Sequence, residues 1–104
     1  MFLYLLLMSF GSVARADSSH AIQCPGRTTI EMRWCASQKW QESIDLLRKE
    51  LVPGKLRQWK QTSREVCSSA YDLVKEGTIY LQMITGCMDN LNRSLLKEFD
   101  TFRK

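Results

Sequence analysis

Hydrophobic residues recur every three or four positions through most of the chain, which is the period of one face of an α-helix. The first stripe follows Thr28 and Glu31, whose spacing is that of a capping box at a helix start. It ends before Pro53 and Gly54, which favour a turn. Its members are Met32, Ala36, Trp40, Ile44 (or Ser43), Leu47 and Leu51. The pattern therefore predicts a first helix over about residues 29–51.

Two more stripes predict two more helices. The second helix is expected over about residues 55–75, with Gly77 as its C-terminal cap, and the third from Thr78 as N-cap to about residue 102. Gly86 is expected to allow close packing or a slight bend in the third helix. The inward positions are Leu56, Trp59, Ser63, Val66, Ala70 and Leu73 in the second helix and Tyr80, Ile84, Cys87, Leu91, Leu95, Phe99 and Phe102 in the third. Because both connections are short, the sequence predicts an all-α, three-helix, up-down-up bundle.

The first 16 residues follow a different pattern. Residues 2–10 are almost wholly apolar and are followed by a glycine, a serine and an A-x-A sequence that ends at Ala16. This run is too short for a ~30 Å hydrocarbon core, which needs about 20 helical residues. We therefore expect a signal peptide over residues 1–16, cleaved after Ala16. Residues 17–27 would form a polar N-terminal tail and residues 28–104 the helical domain.

The four cysteines, Cys24, Cys35, Cys67 and Cys87, are expected to form two disulfides, because export places them in an oxidising compartment. All three pairings fit the predicted bundle. Cys24–Cys67 with Cys35–Cys87 is preferred, since two long-range bridges would tie all the elements together. Cys24–Cys35 with Cys67–Cys87 is the close alternative, because Cys67 and Cys87 each lie ten residues from Gly77 and so at similar heights on neighbouring helices.

Candidate catalytic chemistry is sparse. The one histidine, His20, lies in the polar tail, and a nucleophilic site needs a base beside its nucleophile. The cysteines lack the C-x-x-C spacing of a zinc site, and no glycine-rich phosphate loop occurs. The sequence therefore predicts a non-enzyme with no catalytic residues, no cofactor and no metal.

The charge balance is mildly basic. The net charge is +4, and the loss of Arg15 with the signal peptide lowers it to +3. The basic residues around the first turn and along the second helix are Arg48, Lys49, Lys55, Arg57, Lys60 and Arg64. Export makes nucleic acid an unexpected partner. A solvated helix face is the default interpretation, and a docking surface for lipid headgroups, cell-wall polymer or an acidic protein is the alternative.

One segment resembles a known family. It reads Cys24, then Thr28-x-x-Glu31-Met32-x-x-Cys35-Ala36, with Trp40 and Leu47 following. This arrangement is similar to that of the LprI-type lysozyme-inhibitor family, small secreted four-cysteine helical proteins of bacteria. Trp59, eight residues before Cys67, and Leu91, four residues after Cys87, also fit, so the resemblance covers about residues 24–99. Ser63-Arg64 and Leu95 depart from the family pattern, which has Arg-Asp and Arg there.

The resemblance implies a periplasmic or secreted, non-enzymatic protein that binds, and inhibits, a cell-wall hydrolase such as lysozyme. A periplasmic immunity protein against a delivered toxin and a general envelope-binding module with weak affinity for a membrane surface are the alternatives. Arg57 and Lys60, close to the first turn, are the candidate partner-binding residues. A cation inserted between the two catalytic carboxylates of a lysozyme cleft would block its substrate.

Overall fold

The protein forms three α-helices in the computed structural model, which describes residues 22–103. The helices are α1 (Thr29–Arg48), α2 (Pro53–Ala70) and α3 (Tyr80–Thr101), with a short 3₁₀ turn at Asp72–Val74. No strand occurs within the described residues. The predicted all-α, three-helix fold with two disulfides is confirmed, whereas the predicted signal peptide and its cleavage site at Ala16 lie outside the described residues.

The helices α1 and α3 lie side by side, run in the same direction and form the main helix interface. Arg33 donates to the Thr78 carbonyl at one end, 3.2 Å away, and Arg103 pairs with Glu50 at the other end. The helix α2 runs back between these ends and packs more loosely. This is the predicted up-down-up order. None of the helices in residues 22–103 combines the length and apolarity that crossing a bilayer requires.

The start of α1 is capped as predicted. The Glu31 amide donates to the Thr28 hydroxyl oxygen at 3.1 Å, which satisfies one of the free amides of the first turn. The Glu31 carboxylate accepts from the backbone amide of Arg27 at 2.8 Å, one residue before the cap. Glu31 therefore makes two capping bonds: its amide satisfies the first turn, and its carboxylate fixes the backbone of the residue before the cap.

Replacing Thr28 with alanine should lower the free energy of unfolding by about 1 kcal/mol, because the Glu31 amide loses its acceptor. Urea unfolding followed by circular dichroism measures this loss. Thr28→Ser keeps the hydroxyl and is the matched control, with an expected change of a few tenths of a kcal/mol. Equal losses in the two variants would show that the hydroxyl does not cap the helix.

The first turn differs from its prediction. The helix α1 ends at Arg48 rather than near residue 51, and the amides of Lys49 and Glu50 close the last turn on carbonyls three residues back. Val52 is extended, as expected for a residue before proline, and Pro53 is the first residue of α2. Pro53 thus begins the second helix two residues earlier than predicted, because proline suits the first helical position.

The second turn also differs. The helix α2 ends at Ala70, and the next residues form the 3₁₀ turn, so the predicted helix end near residue 75 is wrong. Gly77 closes that turn by donating to the Val74 carbonyl at 2.9 Å and does not cap α2. The residue before α3 is Ile79, which has no side-chain cap bond, so the prediction of Thr78 as N-cap is wrong. Leu73, predicted to point inward, is fully exposed.

The core consists of two apolar clusters that share Trp40. The buried members are Ile44, Leu47 and Leu56 in one cluster and Cys67, Ile84 and Met88 in the other. The stripe predicted for α1 lines both clusters, and Ser43 is buried beside Ile44. Val66 in α2 and Phe102 after α3 were also predicted to point inward, but both side chains are largely exposed.

The disulfides are Cys24–Cys35 and Cys67–Cys87, so the preferred pairing is wrong and its close alternative is correct. Cys67 and Cys87 lie at the same height on antiparallel helices. Cys24 reaches Cys35 because the chain folds back at Gly26, whose φ is +95°. A Cβ at Gly26 would lie 2.8 Å from the Glu31 backbone, so this close fold-back needs glycine.

Candidate functional site

The turn between α1 and α2 presents a basic surface. We define the basic end as Lys49, Lys55 and Arg57, all of which are exposed. Among the described residues, no carboxylate lies within 4.0 Å of their charged groups. By contrast, Arg48 contacts Asp45 at 2.5 Å, so its charge is compensated locally. The basic end is therefore available to carboxylates of a partner.

The two predicted partner-binding residues have different surroundings. Arg57 is exposed, and its guanidinium lies over Gly54, 3.9 Å from the position a Cβ would take there. Lys60 is half-buried, and its ammonium lies 5.8 Å from the centre of the Trp40 ring. This cation–π contact holds Lys60 against α1. Of the two predicted partner-binding residues, Arg57 is exposed to solvent, whereas Lys60 already contacts Trp40 within the bundle.

An apolar notch of about 260 Å³ adjoins the basic end. It is lined by Leu51, Lys55, Gln58, Trp59, Thr62 and Leu95. Val52, at the tip of the turn, is 65% exposed and adds apolar surface. The notch thus combines an aromatic side chain, Trp59, with one cation, Lys55. Buried aromatic side chains of this kind are common at the centres of protein-binding surfaces.

Buried hydrogen bonds hold Trp59 in place. Its Nε1 donates to Asn92 Oδ1 at 2.6 Å, and Asn92 Nδ2 donates to Ser43 Oγ at 2.9 Å. The Ser43 hydroxyl in turn donates to the Trp40 carbonyl at 3.1 Å. Asn92 and Ser43 have no exposed surface. Because one chain of bonds joins all three helices, the indole is pre-positioned at the notch.

A second polar group joins α1 to α3. The buried Asp89 carboxylate accepts from Arg93 Nε at 3.0 and 3.1 Å, and the same guanidinium donates to the Lys39 carbonyl at 3.1 Å. Charge-assisted bonds of this kind are stronger than neutral ones. Sequence reasoning missed Asp89 and Asn92. Their spacing from one another is helical and could have revealed an inward polar stripe beside the apolar one.

The chemistry that the basic end offers is recognition. A guanidinium has five donors in a planar fork that matches a carboxylate, and Arg57 carries it on a helix rather than on a loop. The positive end of the α2 dipole coincides with Pro53 and adds to the attraction of anions. All four cysteines are in disulfides, so the described residues contain no free thiol.

Comparison with protein-family models, curated proteins and solved structures gives no match to this chain. The resemblance to the LprI-type family therefore stays a prediction that rests on the residues quoted for it. The disulfides are consistent with an oxidising, extracellular compartment.

Proposed function

We propose that the mature chain is an exported, non-enzymatic protein that binds a cell-wall hydrolase such as lysozyme and blocks its substrate cleft. The observation that supports this most is the basic end, where the Arg57 guanidinium is exposed and no carboxylate of the described residues lies within 4.0 Å of it. The compartment would be the bacterial periplasm or the exterior, where both disulfides would persist. The sequence resemblance supplies the class of partner.

The proposed mechanism is occlusion. Glycoside hydrolases carry two carboxylates roughly 5–10 Å apart at the floor of a cleft. The Arg57 guanidinium would insert between them and make bidentate bonds to one of them. Lys55 would contact acidic residues at the cleft rim, and an apolar side chain of the hydrolase would fill the notch over Trp59. Lys60 is left out of this contact, because it is held on the Trp40 ring.

Net charge influences the choice of partner. The chain is positive overall, and animal lysozymes are strongly basic, so the two repel each other at long range. A bacterial hydrolase with an acidic cleft and lower net charge would associate faster. The binding panel therefore contains both classes, measured at low and moderate salt.

Arg57→Glu should weaken binding to the hydrolase by about 10- to 100-fold, the effect expected for a central arginine anchor. Biolayer interferometry on a panel of animal and bacterial muramidases measures the affinity. Lys75→Glu changes the net charge equally but lies at the other end of the bundle beside Asp72. It should change the affinity by no more than about threefold.

Two results would contradict the proposal. Equal losses in Arg57→Glu and Lys75→Glu would show that overall charge, and not the basic end, controls association. Binding of the unmodified protein to no muramidase in the panel would exclude a hydrolase partner. Binding to a delivered toxin instead would move the protein to the immunity class.

A further inference from the structure

The excess positive charge of the chain is concentrated at one end of the bundle. Residues 48–60, from the end of α1 into α2, contain five basic residues and one carboxylate, a net charge of +4. The whole chain also has a net charge of +4, so the basic and acidic residues elsewhere cancel. Such an uneven distribution orients the protein, because an extended anionic surface attracts this end and not the other.

The three cations of the basic end carry the charge that a partner would meet. The other charged groups of this segment are engaged within the protein: Arg48 with Asp45, Glu50 with Arg103, and Lys60 on the Trp40 ring. Lys49 lies before the turn, whereas Lys55 and Arg57 follow it on α2. The uncompensated charge is therefore spread over both sides of the turn.

Two protruding apolar side chains accompany these cations. Val52, at the tip of the turn, is 65% exposed, and Phe102, at the end of α3, is 88% exposed. Both lie at this end of the bundle, because Arg103, next to Phe102, pairs with Glu50, two residues before Val52. An open cavity of about 380 Å³ beside Phe102 shares Leu95 with the notch, so apolar surface continues from the notch to the end of α3.

Cations around protruding apolar side chains fit the surface of an anionic bilayer. Lipid phosphates would contact the cations, while Val52 and Phe102 would enter the boundary between headgroups and acyl chains. A hydrolase cleft that admits the Arg57 guanidinium assigns no contact to Lys49 or Phe102. A fluid lipid surface takes up all of these side chains together, because it requires no complementary shape.

We propose that this end of the bundle, with Lys49, Val52, Lys55, Arg57 and Phe102, docks on membranes that contain anionic phospholipids. The binding is peripheral, at the level of the headgroups. It goes beyond the proposed hydrolase binding, because it requires no protein partner. Vesicles of pure lipid contain no hydrolase, so failure of lipid binding leaves the hydrolase proposal open, and the reverse also holds.

Vesicle flotation tests this proposal with oxidised protein that begins at Asp17, so that the apolar residues 2–10 do not contribute. Vesicles of equal parts phosphatidylglycerol and phosphatidylcholine are compared with vesicles of phosphatidylcholine alone. Each cation near an anionic surface strengthens binding about fivefold, so the protein should bind the anionic vesicles at least about 30-fold more tightly. High salt should remove most of this preference, because it screens the charges.

A charge variant separates the basic end from overall charge. Replacing all three cations of the basic end with glutamine should weaken binding to the anionic vesicles at least about 30-fold. The matched control carries Arg27→Gln, Arg64→Gln and Lys75→Gln, which lower the net charge equally at exposed positions towards the other end of the bundle. The control should change the binding by no more than about threefold.

A second pair of variants tests insertion of the apolar side chains. Val52→Ser with Phe102→Ser should weaken vesicle binding about tenfold, because apolar burial in the bilayer is lost. Ile30→Ser with Leu73→Ser, at exposed apolar positions of the opposite end, should leave it unchanged. No binding to anionic vesicles, equal binding to both lipid compositions, or equal losses in a variant and its matched control would overturn the proposal. Equally tight binding to soluble polyglutamate would also overturn it, in favour of an acidic protein.

Discussion

Replacing Cys67 and Cys87 together with alanine should lower the free energy of unfolding by about 3–5 kcal/mol. Cys67 has no exposed surface and packs in one cluster with Ile84 and Met88. The helix α2 packs loosely against its neighbours, and this bridge ties its C-terminal half to α3. Its removal therefore takes away packing as well as the constraint on the unfolded chain.

The matched control is the other bridge. Replacing Cys24 and Cys35 with alanine should lower the free energy of unfolding by about 2 kcal/mol. Cys24 is exposed, and Cys35, although buried, belongs to neither core cluster, so this bridge mainly ties the tail to α1. The two bridged pairs are 11 and 20 residues apart in the sequence. This difference in loop length makes the Cys67–Cys87 bridge only about 0.5 kcal/mol more stabilising through chain entropy. Urea unfolding followed by circular dichroism compares the variants. A larger loss for the Cys24–Cys35 pair would contradict this view of the core.

Asn92→Ala should lower the free energy of unfolding by about 2–4 kcal/mol. The substitution leaves a cavity in the centre of the bundle. It also removes the acceptor of the Trp59 indole and the group that donates to Ser43. Urea unfolding followed by Trp fluorescence measures the loss and reports on the surroundings of Trp59 at the same time.

Two further variants test this explanation. Asn90→Ala, two positions away at an exposed site on the same helix, should change stability by no more than about 0.5 kcal/mol. A double-mutant cycle of Asn92→Ala with Trp59→Phe should give a coupling energy of about 1 kcal/mol, since the two side chains share one bond. Additive losses would show that the bond from Trp59 to Asn92 does not contribute to stability.

The helices could be predicted because burial in a small bundle requires an apolar stripe at helical spacing. Ile44 and Leu47 lie in the core, where the stripe of α1 places them. The helix ends were less predictable, since more than one residue near each end could start or stop a helix. Pro53 reads equally as a helix stop and as a first helical residue, and the 3₁₀ turn at Asp72–Val74 leaves Gly77 away from any helix end.

The disulfide pairing depended on one backbone conformation. The prediction that Cys24 would bridge to the second helix assumed no particular path for the tail. The positive φ of Gly26 folds the tail back onto α1 and brings Cys24 to Cys35. Glycine permits this conformation without requiring it, so the sequence left the pairing open.

The buried polar side chains were missed for a related reason. Asn92 looks like a surface residue because its partners, Ser43 and Trp59, lie on other helices. Asp89 looks like one because its partner Arg93 is four residues further along the same helix, which is the spacing of an ordinary exposed ion pair. The exposure of Arg57 could be anticipated from its place on the polar side of α2. The burial of Lys60 could not, because it depends on where the Trp40 ring lies after the helices pack.

The proposed occlusion of a hydrolase cleft is tested most directly by a muramidase assay with the oxidised protein cleaved after Ala16. At a near-equimolar ratio, the protein should slow hydrolysis of cell-wall polymer by at least one enzyme of the panel. A soluble oligosaccharide substrate should compete with it, since both would occupy the same cleft. Full activity of every muramidase in about tenfold molar excess of the protein would contradict the account.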